Sequence, residues 1–137
     1  MKITLDKGAI MPRREHSTDA GFDLFTPRRI VLTPHGSVTI NTGVHIQLPA
    51  GRCGVVISKS GLLTKCDILS TGLVDEGYRG AIHIHLINHS GQMYTFERGE
   101  KVGQFFVTNY YSEELELVEE LEETDRGNNG FGSTGRV

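Results

Sequence analysis

The chain has 137 residues, enough for one hydrophobic core but not for a second. Its 14 Lys and Arg residues against 17 Asp and Glu give a net charge of −3, which argues against non-specific binding to nucleic acid. Glycine occurs 17 times, about twice the usual share of roughly 7%. Because glycine destabilises helices and suits turns, this composition predicts a turn-rich β protein.

The N-terminal residues and the two cysteines indicate a compartment. Residues 1–7 (MKITLDK) contain no apolar signal core, and no run in the chain approaches the length of a membrane span. Cys53 and Cys66 lie in apolar surroundings outside any CxxC pair. Buried free thiols in a reducing compartment are the simplest interpretation, with a disulfide left open. We therefore expect a cytoplasmic protein.

Apolar residues alternate with period two along much of the chain, which predicts β-strands. Between Ser37 and Leu48 every apolar residue falls on an even position, with one interruption at Thr42-Gly43. Further apolar runs occupy Cys53–Ser58, Ala81–Asn88, Met93–Glu97 and Val102–Thr108. Turn-forming residues separate these runs, so we expect many short strands in a sandwich or jelly-roll barrel.

Three segments depart from this alternation. In Ser58–Asp67 (SKSGLLTKCD) a serine precedes Leu62 and Leu63, which predicts a short helix. Glu113–Glu123 is dominated by acidic residues, and we interpret it as a solvated strand edge followed by a linker. Thr124–Val137 (TDRGNNGFGSTGRV) has too few large apolar residues to fold alone.

The last of these segments contains residues suited to binding phosphate. Arg126 supplies a fork of charged donors, and Ser133 and Thr134 add hydroxyls beside several glycine N–H groups. Gly127–Thr134 approaches the spacing of a P-loop, but Ser133 stands where that motif has lysine, and no strand or helix is predicted around it. The sequence therefore excludes a Walker-type site and favours a glycine-rich arm that wraps anionic oxygens.

Two further stretches contain residues suited to ligand binding or catalysis, and each also has an ordinary structural explanation. Lys59 and Ser60 at a helix N-terminus would bind an anion, or would form a serine cap beside a surface lysine. Within Gly72–Gly80, Asp75 and Tyr78 would pair a general base with a ring that packs on a sugar. The alternative is a plain β-turn in which Asp and Gly have their usual roles.

Asp23 and Gln104 are polar residues among apolar neighbours. Asp23 lies between Phe22 and Leu24, and is either a carboxylate linked to a metal ion or a residue that faces the surface. Gln104 begins an apolar run, and because a buried amide needs partners, it bonds either backbone or ligand.

The order of these stretches is more specific than any one of them. It runs AGFDL at 20–24, SKSGL at 58–62, GLVDEGYRG at 72–80, RGEKVGQ at 98–104, and Arg126-Gly127 through FGSTG at 131–135. This order resembles the five motifs of the trimeric dUTPase (deoxyuridine 5′-triphosphate nucleotidohydrolase) family. The resemblance extends from about Leu5 to Gly135.

The resemblance implies an all-β fold of the jelly-roll or β-clip barrel type, with one short helix and a flexible C-terminal arm. It implies a barrel core at residues 1–123 and an arm at residues 124–137 that closes over an active site of a neighbouring subunit in a homotrimer. The implied activity is hydrolysis of dUTP to dUMP and pyrophosphate with Mg²⁺ as cofactor, which keeps uracil out of DNA and supplies dUMP.

The same resemblance implies roles for individual residues. Asp23 holds the magnesium ion through water, and Asp75 activates the attacking water and meets the sugar 3′-hydroxyl. Tyr78 packs against the deoxyribose and excludes a 2′-hydroxyl, and the backbone from Gly72 to Val74 reads the uracil edge. The phosphates are contacted by Lys59, Ser60, Gly61, Gln104, Arg126, Gly132, Ser133 and Thr134, while Phe131 stacks over the uracil.

Two departures from the family pattern stand out. Lys59 replaces the usual arginine, which keeps the charge but loses the planar fork, so a weaker or differently aimed phosphate contact is expected. Gly103 replaces the usual alanine before Gln104, which only loosens the local backbone. His83 and His85 would share one strand face and suggest zinc, but no third ligand stands at a recognisable spacing, so we interpret them as structural or surface residues.

Two alternative functions remain open from the sequence. A dCTP deaminase has a similar fold and a similar Asp-x-Gly-aromatic-x-Gly turn, but places a glutamate ten residues beyond that Asp, where this chain has His85. A non-enzymatic nucleotide-sensing or protein-binding module is the other alternative. The survival of every presumed catalytic position argues against it.

Overall fold

Short antiparallel strands dominate the structure, a computed structural model that describes residues 1–130. Within those residues the strands are β1 (Lys2–Leu5), β2 (Phe22–Phe25), β3 (Ile30–Leu32), β4 (Ser37–Asn41), β5 (Val44–Gln47), β6 (Arg52–Ile57), β7 (Ile68–Val74), β8 (His83–Asn88), β9 (Tyr94–Phe96) and β10 (Lys101–Asn109). A single helix, α1 (Ser60–Cys66), connects β6 to β7. At seven residues, this helix is too short to cross a membrane.

The strands form one large sheet and two small ones. The large sheet has the order β2-β10-β6-β7-β8-β4, and the small sheets pair β1 with β5 and β3 with β9. Because β10 returns between β2 and β6, strands from both ends of the chain lie side by side in one curled sheet. This confirms the predicted all-β jelly-roll fold with one short helix.

The alternating pattern predicted from residues 37–48 is confirmed. Ile40, Val44, Ile46 and Leu48 are buried, and Val38 is half-buried against the same core. The interruption at Thr42-Gly43 separates two strands of different sheets, since β4 pairs with β8 while β5 pairs with β1. Gly43 adopts a φ of 67°, and the buried Thr42 hydroxyl donates to the Ile82 carbonyl at 2.7 Å.

The structure decides two local interpretations of the sequence. The predicted helix begins at Ser60, and because its N-cap is Lys59 and no side chain caps it, the alternative of a serine cap does not hold. Ser58 is instead buried and hydrogen-bonded to the backbone of Ser70. The expected strand edge in Glu113–Glu123 is absent from the described structure: β10 ends at Asn109, and residues 111–130 form no strand and are exposed.

Candidate active site

Asp23 is the most enclosed charged residue of the predicted site. It lies in β2, opposite Gln104 of β10, and only 6% of its surface is exposed. Its carboxylate accepts from the ammonium group of Lys59 at 2.6 Å and from that of Lys101 at 2.8 Å. Burial alone would raise the pKa of Asp23, but the two ammonium groups outweigh it and hold the pKa below its ordinary value.

Lys101 extends this network to the loop that precedes β2. Its ammonium group also donates to Glu15 at 2.9 Å, and the bonds to Asp23 and Glu15 raise the pKa of Lys101. The bond from Lys101 in turn lowers the pKa of Glu15. The four residues Asp23, Lys59, Lys101 and Gln104 are called the Asp23 cluster below.

Gln104 completes the Asp23 cluster from β10. Its side-chain N–H donates to the Ser58 carbonyl at 3.3 Å, so the amide is anchored to the strand end that leads into α1. Its carbonyl oxygen lies against Gly21, where an added Cβ would come within 3.0 Å of it. The open cleft of about 280 Å³ at this point is lined by Glu15, Asp19, Ala20, Gly21, Asp23, Lys59 and Gln104.

Ser60 and Gly61 form the first turn of α1, directly beside the Asp23 cluster. Both are exposed, and because a helix leaves its first N–H groups without intrahelical partners, this turn presents backbone donors next to Lys59. The arrangement suits a chain of anionic oxygens that runs along the cleft.

Asp75 lies in a tight turn that follows β7. The turn closes through a hydrogen bond from the Tyr78 N–H to the Asp75 carbonyl at 3.1 Å. The Asp75 carboxylate is exposed and makes no hydrogen bond or ion pair with other residues in the 1–130 range. Residues 75–80 are called the Asp75 turn below. The Asp75 turn presents this carboxylate to solvent.

The two sides of the Asp75 turn are held by different contacts. The Tyr78 hydroxyl donates to the Ala81 carbonyl at 3.0 Å, and its ring covers Gly80 so closely that any side chain there would collide with it. On the other side, the Glu76 carboxylate accepts from the Gly51 N–H at 2.7 Å and from the Tyr110 hydroxyl at 3.0 Å. The sequence pointed to Asp75 and Tyr78 but not to the two hydrogen bonds that Glu76 accepts from Gly51 and Tyr110, which are called the Glu76 brace below.

The Asp23 cluster and the Asp75 turn lie at opposite ends of the β6–β7 pair. Val74, which precedes Asp75, is opposite Gly54, whereas Lys59 follows Ile57 at the other end of β6. Gly54 and Ile57 are three residues apart, or about 10 Å along the strand. Within one chain the structure therefore brings Asp23, Lys59, Ser60, Gly61 and Gln104 together but keeps Asp75 and Tyr78 apart from them.

Gly72 and Val74, whose backbone is predicted to read the uracil edge, lie in β7. Gly72 packs on Val56 of the neighbouring strand, and Val74 is buried. Arg126 lies in the exposed segment that follows β10, where its Nε donates to the Asn129 carbonyl at 3.1 Å. The remaining predicted contacts, Phe131, Gly132, Ser133 and Thr134, lie outside the described residues.

The two strand histidines do not form a metal site with other residues of the described part. His83 and His85 are both exposed on β8, and each ring is engaged locally: His83 with the Ala81 carbonyl at 2.9 Å and His85 with the Thr39 hydroxyl at 2.8 Å. Residues 1–130 hold no group of three or more His, Cys, Asp or Glu side chains suited to a metal ion.

Lys101 and Tyr110 contact residues of the candidate site, and the sequence did not identify either of them. Lys101 stood within the fourth motif, but its pairing with Glu15 spans 86 positions and leaves no local signal. Tyr110 reaches Glu76 only because the end of β10 lies beside the turn between β5 and β6, where its N–H donates to the Gly51 carbonyl at 3.2 Å.

Known proteins resemble this chain over almost its whole length. The family model described as dUTPase matches residues 7–135. The deoxyuridine 5′-triphosphate nucleotidohydrolase of Clostridium novyi (strain NT) is 43% identical, covering 98% of this chain and 99% of its own. That of Gloeothece citriformis (strain PCC 7424) is 41% identical, with 98% and 96% covered.

Solved structures of dUTPases also superpose on this chain. A Staphylococcus bacteriophage 80alpha dUTPase with dUPNHPP superposes with a TM-score of 0.89 at 32% identity, covering 98% of this chain and 97% of that chain. A mutant dUTPase from phage phi11 of S. aureus, described as coordinating a structural Mg(II) ion, has a TM-score of 0.80 at 29% identity, with 89% and 98% covered. The chain described here belongs to the dUTPase family.

Proposed function

We propose that this protein hydrolyses dUTP to dUMP and pyrophosphate, and thereby keeps uracil out of DNA and supplies dUMP. The observation that carries the proposal is the pairing of two polar sites in a chain of this family. One is a cleft with an ammonium group, a helix N-terminus and an anchored amide, and the other is an exposed carboxylate beside a fixed tyrosine ring.

The Asp23 cluster is proposed to hold the triphosphate. Lys59 and Gln104 line the cleft with an ammonium group and an amide, and Ser60 and Gly61 follow Lys59 in the first turn of α1 with a hydroxyl and backbone N–H groups. These donors neutralise and orient the phosphates, which matters more than covalent chemistry because phosphoryl transfer depends on positioning and charge stabilisation.

Asp75 is proposed as the general base. An exposed carboxylate with no side-chain partner in the described part of the chain can take a proton from a water molecule as that water attacks the α-phosphorus. Tyr78 is proposed to form the wall against the deoxyribose, because its hydroxyl bond to Ala81 and its contact with Gly80 fix the ring. The Gly72–Val74 backbone is proposed to read the uracil edge.

Magnesium is proposed as the cofactor, carried by the substrate and not held in a protein cage. Mg²⁺ commonly keeps several waters and binds substrate phosphates with one or two carboxylates. The residues fit this mode: Asp23 is the carboxylate of the cleft, both of its oxygens already accept from lysines, and a contact through water is therefore the expected one. The ion would supply charge neutralisation at the phosphates.

The active site is proposed to form between subunits of a homotrimer. The Asp23 cluster and the Asp75 turn lie at opposite ends of β6, so one substrate is best served by two chains. Residues 111–121 support this, because Tyr111, Leu115, Leu117 and Leu121 leave nearly all of their apolar surface in water. Exposed apolar surface of this kind is typical of a segment that packs on a partner.

The C-terminal arm, residues 124–137, is proposed to close over a neighbour's site, with residues 1–123 as the core. Arg126, Gly132, Ser133 and Thr134 would bind the outer phosphate, and Phe131 would stack over the uracil. We also propose that the enzyme acts in the cytoplasm, since its substrate is a free nucleotide and both cysteines are unpaired thiols.

The test is to incubate the protein with dUTP, dCTP, dTTP or UTP plus Mg²⁺ and to identify the products. We expect dUMP and pyrophosphate from dUTP, and a loss of roughly 5- to 150-fold in kcat/KM for each mismatched contact in the other nucleotides. Ammonia released from dCTP would indicate a deaminase, and binding without turnover would indicate a sensing module. Equal kcat/KM for dUTP and UTP would contradict the role of Tyr78.

A further inference from the structure

Two ammonium groups pair with the single carboxylate of Asp23, although one would balance its charge. Lys59 is held on one carboxylate oxygen at 2.6 Å and Lys101 on the other at 2.8 Å. The two lysines are about equally exposed, but they differ in their partners: among the described residues Lys59 forms an ion pair with Asp23 alone, whereas Lys101 pairs with both Asp23 and Glu15. On the cleft side, Glu15 accepts from the Lys101 ammonium at 2.9 Å.

This geometry sets a problem for the proposed phosphate contact of Lys59. An ammonium group has three N–H donors, so Lys59 can bind Asp23 and a phosphate oxygen at once, but its charge is then shared and compensates Asp23 less. A buried carboxylate that loses its partner is costly, because its desolvation is no longer compensated. If Lys59 were the sole partner of Asp23, that cost would be subtracted from the affinity for the nucleotide.

We propose that Lys101 is a positioning residue that keeps Asp23 paired while Lys59 transfers to the triphosphate. The proposal rests on the proposed function, in which Lys59 contacts phosphate. Two features fit Lys101 to this task. It is anchored by a second carboxylate, Glu15, so it stays in place when Lys59 moves, and its ammonium group is already shared between two carboxylates, so it has less charge to offer the phosphates.

The experiment measures binding of a non-hydrolysable dUTP analogue and of dUMP to the full-length protein with Mg²⁺, together with kcat and KM for dUTP. The variants are Lys101→Met, Lys101→Gln and Lys101→Arg, with Arg29→Met as the control. Arg29 pairs with Glu97 at 3.0 Å on the exposed surface, away from the Asp23 cluster. Melting temperatures identify any variant that fails to fold, and Lys101→Gln, which keeps a polar side chain, then replaces Lys101→Met.

We expect Lys101→Met to weaken analogue binding and to raise KM by roughly 5- to 150-fold, the range for an unpaired buried polar group. The change in kcat should be much smaller, and dUMP, which lacks the outer phosphates, should be affected much less than the analogue. Lys101→Arg should restore binding to within a few fold of wild type, and Arg29→Met should match wild type.

A further comparison separates positioning from a general structural role. In an Asp23→Asn background there is no buried charge to keep paired, so adding Lys101→Met should change analogue affinity by less than about threefold. The proposal is overturned if Lys101→Met leaves affinity and KM unchanged, if dUMP binding falls as far as analogue binding, or if the effect persists in the Asp23→Asn background. Failure of the wild-type protein to bind or hydrolyse dUTP would instead refute the proposed function.

Discussion

The Asp23 cluster and the Asp75 turn hold their carboxylates in opposite ways. Asp23 is buried and charge-paired to two lysines, so its position is set by ion pairs and strand pairing. Asp75 is exposed, and its position is set by the backbone bond inside the turn and by the bonds that fix Glu76 and Tyr78. In the proposed mechanism Asp23 organises donors and has to stay ionised and fixed, whereas Asp75 takes a proton from water and has to remain accessible.

The largest effect is expected from removing the exposed carboxylate. Asp75→Asn keeps the shape of the turn and removes the proton acceptor, so kcat should fall by roughly 10²- to 10⁴-fold while nucleotide still binds. Single-turnover kinetics and analogue binding measure the two quantities. Asp67→Asn is the matched control, an exposed aspartate at the end of α1. Near-normal turnover of Asp75→Asn would place the base elsewhere, with Asp23 the next candidate.

Removing the arm should act nearly as strongly on catalysis but not on the fold. A stop codon after Glu123 deletes several phosphate donors, and loss of one preorganised donor costs about 10²- to 10³-fold in kcat. The melting curve and the number of subunits in solution, three in the proposed homotrimer, should not change. A stop codon after Gly135 is the control. Full activity of the protein that ends at Glu123 would show that the arm has no role in catalysis. Failure of that protein to assemble would show that the arm has a structural role.

Asp23→Asn should reduce stability as well as activity. The free energy of unfolding should fall by about 1–3 kcal/mol at pH 7, because two ammonium groups lose a buried partner but stay about one-third exposed and can be hydrated. Glu97→Gln, which breaks the exposed pair with Arg29, should cost about 0–1 kcal/mol. Urea unfolding measures both variants. If Asp23→Asn lowers the free energy of unfolding no more than Glu97→Gln does, the ion pairs of Asp23 do not stabilise the fold.

The same variant gives a pH test. Because the pKa of Asp23 is lower in the folded protein than its ordinary 3.8, its contribution is fully present above that value and is lost as pH falls through the folded pKa. The stability difference between wild type and Asp23→Asn should therefore be constant from pH 7 to about pH 5 and shrink below pH 3.8. A difference that persisted unchanged into strong acid would contradict the ion pairing.

The smallest effect on activity is expected at the Glu76 brace. Tyr110→Phe removes one hydrogen bond to Glu76, whose carboxylate keeps its bond from the Gly51 N–H. We expect kcat to fall by about two- to tenfold, since one hydrogen bond contributes about 0.5–1.5 kcal/mol. Tyr94→Phe, on β9 in a different sheet from β7, is the control. Equal activity of both variants would show that Gly51 alone holds Glu76.

Local patterns were sufficient to predict β4, β5, β6, β8, β9 and β10 and the short helix, but not β1, β2, β3 and β7. Residues such as Ile40, Val44 and Ile84 alternate with polar neighbours because a strand turns successive side chains to opposite faces, and burial of one face stabilises that register. The acidic strand edge was predicted wrongly, because no neighbouring strand pairs with residues 113–123 in the described part of the chain. The alternative of a serine cap fails because the Ser58 hydroxyl is hydrogen-bonded to the backbone of Ser70.

By itself the sequence determined the β-rich fold class, the order of the five motifs and the identity of Asp23, Asp75 and Tyr78 as candidates, because these depend on local periodicity and residue type. Only the tertiary structure decided which of them meet. Long-range strand pairing brings Lys101 and Glu15 to Asp23 and brings Tyr110 to Glu76, and it separates the Asp75 turn from the Asp23 cluster. Such contacts join residues far apart in the chain, where no local pattern records them.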